Sequence, residues 1–393
     1  MRILHAIHSA NPKGGGPIEG LKQLSASNIS QGHTVDVVSL DAPGEPWMKD
    51  FPLPLHPMGP SFLRYGYSPR FVPWMRQHHR DYDVVIVNGI WQYNSFGVWS
   101  ALRGSSTAYC VFTHGMLDPW FKKAYPLKHL KKWIYWPWAE YRVLRDARAV
   151  FFTCEEERRL ARASFWLYRS NEIVLTYGTA APEGNPEAQQ ALFLETFPET
   201  AHKRLILFLG RIHEKKGCEL LIQAFARLVR EGAPSEPGDV HLIIAGPGEE
   251  GAYAAGLRQL AGQLGIENRI TWTGMVTGDL KWGAFRAAEV FILPSHQENF
   301  GIAVAEALAA GIPVLISNKV NIWREIDEDG GGLVENDDLE GACLLLKRWF
   351  ELPGTEKEAM RANAQWCYAK RFSIPKVAKS FTTALEGLGF KTR

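Results

Sequence analysis

The amino-acid sequence predicts an α/β protein of two doubly wound, Rossmann-like domains that face each other across a cleft. With 393 residues, the chain exceeds what one ordinary hydrophobic core supports, so two domains are expected. Short apolar runs alternate with longer helical patterns in both halves, which predicts two parallel sheets covered on both faces by helices. The segment 178–203 is polar, contains prolines and lacks a strand pattern, so we place the linker there.

The domain boundaries follow from this linker. We assign 1–180 to an amino-terminal domain and 181–371 to a carboxy-terminal domain of the same type. Residues 372–393 continue with apolar side chains at helical spacing, and we expect a helix there that crosses back to the first domain.

Each domain contains short, strongly apolar runs with the composition of buried parallel strands. In the first domain they cover 2–7, 34–40, 84–88, 108–113, 149–153 and 172–176, and in the second they begin at 205, 241, 269, 290 and 313. In doubly wound sheets, ligands bind at the carboxyl ends of the strands. The residues that directly follow each strand are therefore the candidates for function.

Composition excludes several classes of protein. No stretch approaches the ~20 apolar residues of a membrane span. The chain opens with a strand, which leaves no room for a signal peptide and indicates a cytoplasmic protein. The five cysteines are scattered, as expected for reduced thiols.

Residues 1–180 carry 21 basic and 14 acidic side chains, against 23 and 28 in the remainder, so we expect the first half to face an acidic partner or surface.

Three glycines, Gly14, Gly15 and Gly16, follow the first strand and precede a predicted helix. Glycines at a helix start let the backbone approach a phosphate or a sugar closely, with the helix amides directed at it. The structural alternative is a flexible turn. The loop has neither the GxGxxG pattern nor the GK[ST] ending of a P-loop, which argues against a dinucleotide oxidoreductase or an NTPase.

The loop after the first strand of the second domain brings two cations to the start of a helix. Arg211 and Lys216 stand where a helix amino terminus already favours an anion, and together they can neutralise a diphosphate. The alternative is that both are simply solvated. The next strand ends in a tight turn, 246–248, which places Gly248 at the same rim.

A single acid, Glu306, interrupts an otherwise apolar helix. A helix that is apolar on every side is buried on every side, so this carboxylate needs a partner. The partner is either a structural arginine or backbone amide, or the hydroxyl groups of a bound ligand.

A second acid, Glu298, lies in the loop before that helix. Eight positions separate it from Glu306, which corresponds to a distance of up to ~12 Å in a helix. This distance is too long for the two carboxylates of a retaining glycosidase, which lie ~5 Å apart. The longer carboxylate separations of inverting glycosidases would fit. The spacing matches the ribose and the hexose of a sugar nucleotide, with the two cations at the diphosphate between them. Asn299 is the expected N-cap, and the amides of Phe300, Gly301 and Ile302 open the helix.

Together these residues resemble the retaining glycosyltransferases of the two-domain GT-B type, specifically family four of the glycosyltransferase classification, the glycosyl transferases group 1. The resemblance covers nearly the whole chain, and the order and spacing of the motifs agree in both domains. The motifs are the glycine loop, Thr113-His114-Gly115, Arg211 with Lys216, the turn 246–248, and Glu298 with Glu306 followed by 309–314.

The resemblance implies that 181–371 binds the nucleotide sugar. Glu306 would bind the ribose of the donor, and Glu298 with the amides of 299–302 would hold the hydroxyls of the transferred sugar. Arg211 and Lys216 would stabilise the leaving diphosphate. Gly248 would belong to the same donor site.

The resemblance makes 1–180 the acceptor side. His114 would contact the donor sugar beside the reacting carbon, and Gly15 and Gly16 would lie against the diphosphate and the acceptor. Family members retain the anomeric configuration, with attack on the face from which the diphosphate leaves, so no protein nucleophile is assigned. The chain departs from many relatives at 175–178, where it has Leu-Thr-Tyr-Gly instead of an Asn-Gly pair.

We expect no cofactor and no metal ion. Asp81 and Asp83 form a DxD sequence like the metal-binding motif of the other glycosyltransferase fold. This motif precedes a strand, however, and is expected at the amino end of the sheet, where it forms a solvated turn.

The stretch 120–148 contains eight Lys or Arg, two acids and eight aromatic residues. This mixture suits a helix at an anionic membrane surface, on the inner face of the cytoplasmic membrane. The alternative is a core helix whose aromatic rings point inward and whose lysines are solvated. Because many members of the family extend lipid-linked saccharides, the resemblance favours the membrane surface.

The sequence therefore predicts a retaining, metal-independent hexosyltransferase that acts on a saccharide acceptor, lipid-linked in our interpretation, in the assembly of a surface polysaccharide such as a lipopolysaccharide or an exopolysaccharide. We expect no nucleic-acid partner. Two alternatives remain open: a sugar-nucleotide epimerase of the same fold, and a non-enzymatic sugar-nucleotide sensor.

Overall fold

The computed structural model describes residues 1–12, 15–232 and 240–391 of the chain. They form two compact units: unit 1 consists of Met1–Gly178 and Ile374–Arg393, and unit 2 of Thr179–Ser373. The sequence predicts divisions after residues 180 and 371. Gly14 of the predicted glycine loop lies outside the described residues.

Unit 1 is built on a parallel sheet of seven strands. Its central strands are fully buried, because helices cover both faces. The order of the strands reverses between the first and the fourth along the chain, which creates a switch point. In spatial order they are β3 (Leu55–Pro57), β2 (Thr34–Ser39), β1 (Arg2–Ile7), β4 (Val84–Asn88), β5 (Tyr109–Phe112), β6 (Ala149–Phe152) and β7 (Glu172–Val174).

Unit 2 repeats this plan with six parallel strands. In spatial order they are β10 (Ile270–Gly274), β9 (Val240–Ala245), β8 (Arg204–Leu209), β11 (Val290–Leu293), β12 (Val314–Ser317) and β13 (Gly332–Glu335). The switch point here lies between β8 and β11, which pair directly. The loops that follow these two strands therefore begin side by side.

Helices connect the strands in both units. Unit 1 contains α1 (Gly16–Ser30), α2 (Phe71–His78), α3 (Tyr93–Leu102), α4 (Trp120–Ala124), α5 (Pro126–Tyr135), α6 (Glu140–Asp146) and α7 (Glu155–Arg162). Unit 2 contains α8 (Pro186–Thr196), α9 (Cys218–Glu231), α10 (Ala252–Gln263), α11 (Gly278–Ala287), α12 (Ile302–Ala309), α13 (Trp323–Asp329), α14 (Leu339–Glu351) and α15 (Gly354–Cys367). The last helix, α16 (Ile374–Gly387), belongs to unit 1.

Helix α16 completes unit 1, although nearly 200 residues of unit 2 precede it. It lies against α1. The ring of Phe381 stacks on Phe112 of β5 at a centroid distance of 6.4 Å and meets Phe151 of β6 edge-on at 6.2 Å. Because Phe381 is fully buried, α16 is part of the unit 1 core.

The predicted α/β class with two parallel sheets is confirmed, but three elements were absent from the prediction. Part of the linker segment 178–203 forms α8, where the Asn185 side chain accepts a hydrogen bond from the Ala188 amide at 2.8 Å and Phe193 is fully buried. Strand β3 has only three residues and ends in a proline, and β13 begins with a glycine. Both are too short and too atypical for a periodic pattern to reveal.

The DxD sequence lies on the turn before β4. The Arg2 amide donates to Asp83 at 2.8 Å, and the imidazole of His78 contacts Asp81 at 3.2 Å. Both carboxylates thus serve local structure at the amino end of the sheet. Within the described residues, no helix combines the length and the apolar character needed to cross a membrane.

Candidate functional site

The switch point of unit 2 brings together residues from two loops. Lys216, after β8, forms an ion pair with Glu298, after β11. Both side chains are largely buried, at 21% and 19% exposure. The pairing follows from the topology, because β8 and β11 are neighbours in the sheet. The structure thus places a cation and an acid of the predicted site in direct contact.

Glycines allow the loops at this edge to approach each other. Gly217 has a φ of 63° and caps α9, and a Cβ at this position would lie 2.2 Å from the carbonyl oxygen of Pro294. Gly248 has a φ of 104°, and a Cβ there would lie 2.9 Å from the carbonyl oxygen of Ile212. Side chains at these positions would push the loops apart.

The electrostatic environment of Lys216 favours an anion. Burial lowers the pKa of its ammonium to about 8, and the neighbouring cations Lys215 and Arg211 act in the same direction. Arg211 itself is exposed. In the described part of the chain, its guanidinium has no ion-pair partner. Burial and the neighbouring cations therefore make the charged form of Lys216 dependent on an anion, which Glu298 supplies in the ligand-free chain.

Glu306 is buried as predicted, at 5% exposure. Its Oε1 lies 2.8 Å from the Nζ of Lys281 on α11, and that ammonium also sits over the Trp282 ring at 4.5 Å. Lys281 is thus a protein partner of Glu306, where the sequence predicts an arginine or a backbone amide. A carboxylate can accept about four hydrogen bonds, so this contact leaves capacity for a ligand.

The start of α12 differs from the prediction. Asn299 is not its N-cap; Gly301 holds that position with a φ of 75° and no side-chain cap. The chain turns into the helix through a left-handed conformation that glycine adopts readily. Phe300 is buried and its ring meets Phe372 edge-on at 5.6 Å, and Ile302 is the first helical residue.

The backbone of Glu298 forms hydrogen bonds with the loop that follows a third strand, β12. Its amide donates to the Lys319 carbonyl at 2.9 Å, and its carbonyl accepts from the Asn321 amide at 2.9 Å. The position of this acid is therefore set by the loop after β12 as well as by Lys216.

In unit 1, His114 follows β5 in a left-handed conformation with a φ of 49°. Burial lowers the pKa of its imidazole to about 4. Its Nε2 lies 3.4 Å from the Asn88 Oδ1, whose amide nitrogen is 3.1 Å from the Nδ1 of His5. The Asn88 amide oxygen can only accept a hydrogen bond, so we assign the proton of His114 to its Nε2. The Nδ1 of His114 is then an acceptor. His114 is thus a neutral hydrogen-bonding group.

A buried acid that the sequence reasoning missed holds the turn around His114. One oxygen of Glu157 on α7 accepts from the Thr113 hydroxyl and the Gly115 amide, both at 2.6 Å. The other accepts from the amide and the hydroxyl of Thr153, both at 2.7 Å. These bonds fix the residues on either side of His114 and sustain its unfavourable backbone conformation.

The remaining predicted residues of unit 1 lie after β1 and β7. Gly15 is the N-cap of α1 with a φ of 83°, and Gly16 is the first residue of that helix. Tyr177, in the segment that departs from many relatives, packs against His114 at a centroid distance of 5.4 Å. A Cβ on Gly20 of α1 would lie 2.3 Å from its ring. Tyr177, where the chain departs from many relatives, is therefore a buried neighbour of His114.

The stretch 120–148 divides into two parts. Helix α6 is a core element, and Trp136 is fully buried. Helix α5 has no buried residue and no acidic one. The rings of Trp133 and Trp166 lie 5.6 Å apart, which joins α5 to the loop at 166–167. Together with Trp138, which follows α5, they expose a set of large apolar side chains, which we call the apolar surface: Leu127, Leu130, Trp133, Ile134, Trp138, Trp166 and Leu167.

Across 1–12, 15–232 and 240–391, no three His, Cys, Asp or Glu side chains are arranged to hold a metal ion. Metal independence remains a prediction, because it concerns turnover.

Solved structures with the same fold cover almost the whole chain. Sucrose-phosphate synthase from Thermosynechococcus elongatus superimposes with a TM-score of 0.79 at 19% identity, over 99% of each chain. HepE from Anabaena, solved in complex with UDP and glucose, gives a TM-score of 0.76 at 18% identity, over 98% of this chain and 100% of that one. The fold is therefore that of the GT-B glycosyltransferases.

Sequence comparison identifies the family. The model of glycosyl transferases group 1 matches residues 193–366, and that of the glycosyl transferase 4-like domain matches residues 15–178. The chain belongs to the glycosyl transferases group 1 family.

The chain matches only part of the length of each individual relative. The lipopolysaccharide core biosynthesis mannosyltransferase LpsB of Rhizobium meliloti is 25% identical over 268 residues, 61% of this chain and 72% of that protein. A D-inositol 3-phosphate glycosyltransferase of Streptomyces avermitilis is 30% identical over 184 residues, 46% of this chain and 40% of that protein. The glycosyltransferase MJ1607 of Methanocaldococcus jannaschii is 34% identical over 131 residues, 33% of this chain and 31% of that protein.

Proposed function

We propose that the chain is a retaining glycosyltransferase that moves a hexose from a nucleotide-diphosphate sugar to a saccharide acceptor. The ion pair of Lys216 and Glu298 at the switch point of unit 2 is the observation that carries this proposal. It joins a phosphate-binding cation to an acid that can hold sugar hydroxyls, at the edge where doubly wound folds bind ligands. The bound UDP and glucose of HepE, and the mannosyltransferase activity in the name of LpsB, support the same class of substrate.

Donor binding would exchange the partner of Lys216. Its ammonium turns from Glu298 to the diphosphate, where exposed Arg211 supplies a second positive charge. Glu298 is then available to accept hydrogen bonds from the hydroxyls of the hexose, together with the amides of 299–302. Once the donor is bound, both positive charges are in place, so the developing negative charge of the leaving diphosphate is stabilised without further reorganisation of the site.

The buried carboxylate of Glu306 would hold the ribose. A carboxylate that keeps its contact with Lys281 can still accept hydrogen bonds from two ribose hydroxyls. This arrangement keeps the acid compensated both with and without donor. Gly248, which turns the chain after β9 at the same rim, leaves room for the diphosphate.

Transfer would proceed without a protein nucleophile, and His114 would not act as a general base. The acceptor oxygen bonds to the anomeric carbon on the face from which the diphosphate departs, the bond between that carbon and the phosphate oxygen breaks, and the acceptor proton passes to the diphosphate. Because burial lowers the pKa of His114 to about 4, it is neutral and serves as a hydrogen-bonding partner of a sugar hydroxyl. Gly15 and Gly16, which carry no side chain, would let the acceptor approach the backbone of unit 1.

Two measurements test this function. Thermal shifts with UDP, GDP and ADP should show stabilisation by a nucleotide, which also identifies the donor class. Lys216→Met should abolish that shift, whereas Lys347→Met, at an exposed lysine of unit 2, should leave it unchanged. Stabilisation that survives in Lys216→Met would contradict the proposed site.

The two alternatives differ from transfer in their dependence on an acceptor. A transferase releases nucleoside diphosphate only when a saccharide acceptor is added, and the anomeric signal of its product matches that of the donor. An epimerase converts the donor without an acceptor, and a sensor binds the donor without turnover. Acceptor-dependent release of nucleotide is the outcome we expect.

We propose further that the apolar surface contacts the cytoplasmic membrane and that the acceptor is lipid-linked, as in the assembly of a surface polysaccharide. Leu127 and Trp138 are 79% and 69% exposed, far more than large apolar residues usually are. Exposed Lys128 and Lys131 lie on the same acid-free helix. Aromatic rings at headgroup depth with lysines beside them fit an anionic bilayer.

Flotation with vesicles of phosphatidylglycerol and phosphatidylcholine tests this contact. Replacing Lys122, Lys128 and Lys131 by Glu should weaken binding by about 100-fold or more, since each lysine near an anionic surface contributes ~1 kcal/mol. The matched control replaces three exposed basic residues elsewhere in unit 1: Lys49, Arg76 and Arg80. Equal loss in both variants would reduce the contact to net charge alone, and unchanged binding in the first would refute it.

A further inference from the structure

A histidine next to the proposed donor site lies between two carboxylates. His296 follows β11, two positions before Glu298. Its Nε2 is 3.2 Å from the Oε1 of Glu219 in the first turn of α9, and its Nδ1 is 3.2 Å from the Oδ2 of Asp337 after β13. One imidazole thus joins three loops at the carboxyl edge of the sheet.

The geometry determines the charge of this ring. An ionised carboxylate only accepts hydrogen bonds, and a neutral imidazole has only one N–H group to donate. Both nitrogens of His296 can donate only if the ring is an imidazolium. In agreement, the hydrogen bond to Glu219 raises the pKa of His296 above its ordinary 6.5, and the contact with Asp337 adds to this against the effect of burial.

The groups around the ring support this charge balance. The hydroxyl of Tyr253 on α10 donates to the second oxygen of Glu219. The ammonium of Lys319, after β12, lies 3.7 Å from the other oxygen of Asp337. The backbone amide of His296 donates to the backbone carbonyl of Lys215 at 2.9 Å, so the residue that carries the ring is also bound to the loop of Lys216.

We propose that His296 is a positioning residue whose imidazolium holds the Glu298 loop against the Lys216 loop, so that donor binding weakens when the ring loses its proton. The inference rests on the proposed function, because it assumes that these two loops bind the donor. It adds a pH-dependent element and a residue that touches neither the sugar nor the diphosphate.

The direction of the pH dependence follows from the raised pKa. Below about pH 6.5 the ring carries both protons and contacts both acids; as the pH rises through the raised value, one N–H is lost. Either Glu219 or Asp337 then loses its charged donor, and the contact between loops weakens. Donor affinity is therefore expected to be full on the acid side and to fall toward alkaline pH.

NMR of the imidazole nitrogens tests the charge independently of any ligand. In the full chain, the His296 signals should remain those of a doubly protonated ring at about pH 7, where an unperturbed imidazole is mostly neutral. His296→Gln assigns the signals. A ring that is already neutral at this pH would overturn the proposal, whatever the protein binds.

Nucleotide affinity tests the consequence. As the pH rises from about 6.5 through the raised pKa of His296, the dissociation constant of wild type for whichever of UDP, GDP and ADP stabilises it should rise several-fold. In His296→Gln it should be weaker by on the order of 5- to 10-fold at the acid end and almost independent of pH, because a single hydrogen-bonding amide replaces the charged ring. His296→Arg, which is permanently charged, should restore tight binding without pH dependence.

The matched control is Tyr253→Phe. It removes a hydrogen bond to the same acid, Glu219, but leaves the imidazolium in place, and should keep the pH dependence of wild type. In turnover, His296→Gln should raise the KM for the donor more than it lowers kcat. Wild-type affinity in His296→Gln at about pH 6 would overturn the proposal. Absence of nucleotide binding by wild type would instead refute the proposed function, while the NMR result still shows whether the imidazolium exists.

Discussion

Removing the ammonium that pairs with Glu306 should destabilise unit 2 strongly. In Lys281→Met the carboxylate remains buried in α12 without the ammonium that now lies 2.8 Å from it. Breaking a buried ion pair from one side costs about 3–5 kcal/mol. Glu306 has a side chain that is 7% exposed, but Lys281 is 23% exposed, so solvent replaces part of the lost contact. We therefore expect a loss of about 2–3 kcal/mol in the free energy of unfolding.

A double-mutant cycle separates this cost from the loss of packing. Adding Glu306→Leu to Lys281→Met removes the carboxylate that has lost its ammonium, and the helix then becomes wholly apolar. The double variant should recover most of the stability, with a coupling energy of about 1–2 kcal/mol. Lys347→Met, at an exposed position, should change the stability by less than about 0.5 kcal/mol.

Urea unfolding followed by circular dichroism measures these differences, and nucleotide titration on the same variants separates structure from function. Lys281→Met keeps the carboxylate and should bind nucleotide once folded, whereas Glu306→Gln should lose about tenfold or more in affinity, the value of a charge-assisted hydrogen bond. The reasoning is refuted if Lys281→Met is as stable as wild type. If Glu306→Gln loses stability but binds nucleotide normally, Glu306 is a structural acid only.

Three further predictions concern the donor loops and the fold. Because burial lowers the pKa of Lys216 to about 8 and an anion needs its charged form, nucleotide affinity above about pH 8 should fall more steeply in wild type than in Lys216→Arg, which keeps only the pH dependence of His296; equal profiles in the two proteins would exclude a role for this ammonium. Gly217→Ala should raise the KM for the donor and lower stability by ~2 kcal/mol or more, since its Cβ would lie 2.2 Å from the Pro294 carbonyl oxygen; an unchanged KM would mean that the loops adapt. Turnover should persist in excess chelator, and a loss that magnesium restores would show that a metal ion is required.

The fold was accessible from the sequence because its strands are buried. Continuous apolar runs such as β4 and β8 contrast sharply with the helices between them, and this contrast predicts a parallel sheet. The apolar pattern does not predict strand β13, because this strand has only four residues and begins with a glycine. Helix α8 carried a usable signal, Asn185 followed by Pro186, which is typical of a helix start, but the polar composition around it indicated a linker.

The proximity of the Lys216 and Glu298 loops was equally accessible from the sequence. Strand order places the residues after β8 and β11 side by side, so the topology alone suggests that Lys216 and Glu298 can meet. Lys281 and His296 were missed because their partners are distant in the sequence. Lys281 reaches across 25 positions, and His296 contacts acids 41 and 77 positions away. No local pattern reports such contacts, which arise only when the sheet is assembled.

The most direct test is a crystal structure of the chain with its nucleotide-sugar donor. The account predicts Lys216 at the diphosphate and no longer on Glu298, Glu298 at the hydroxyls of the hexose, and Glu306 within about 3 Å of the ribose hydroxyls while still in contact with Lys281. A donor bound elsewhere, or bound at this edge with Lys216 still paired to Glu298 and Glu306 remote from the ribose, would contradict it.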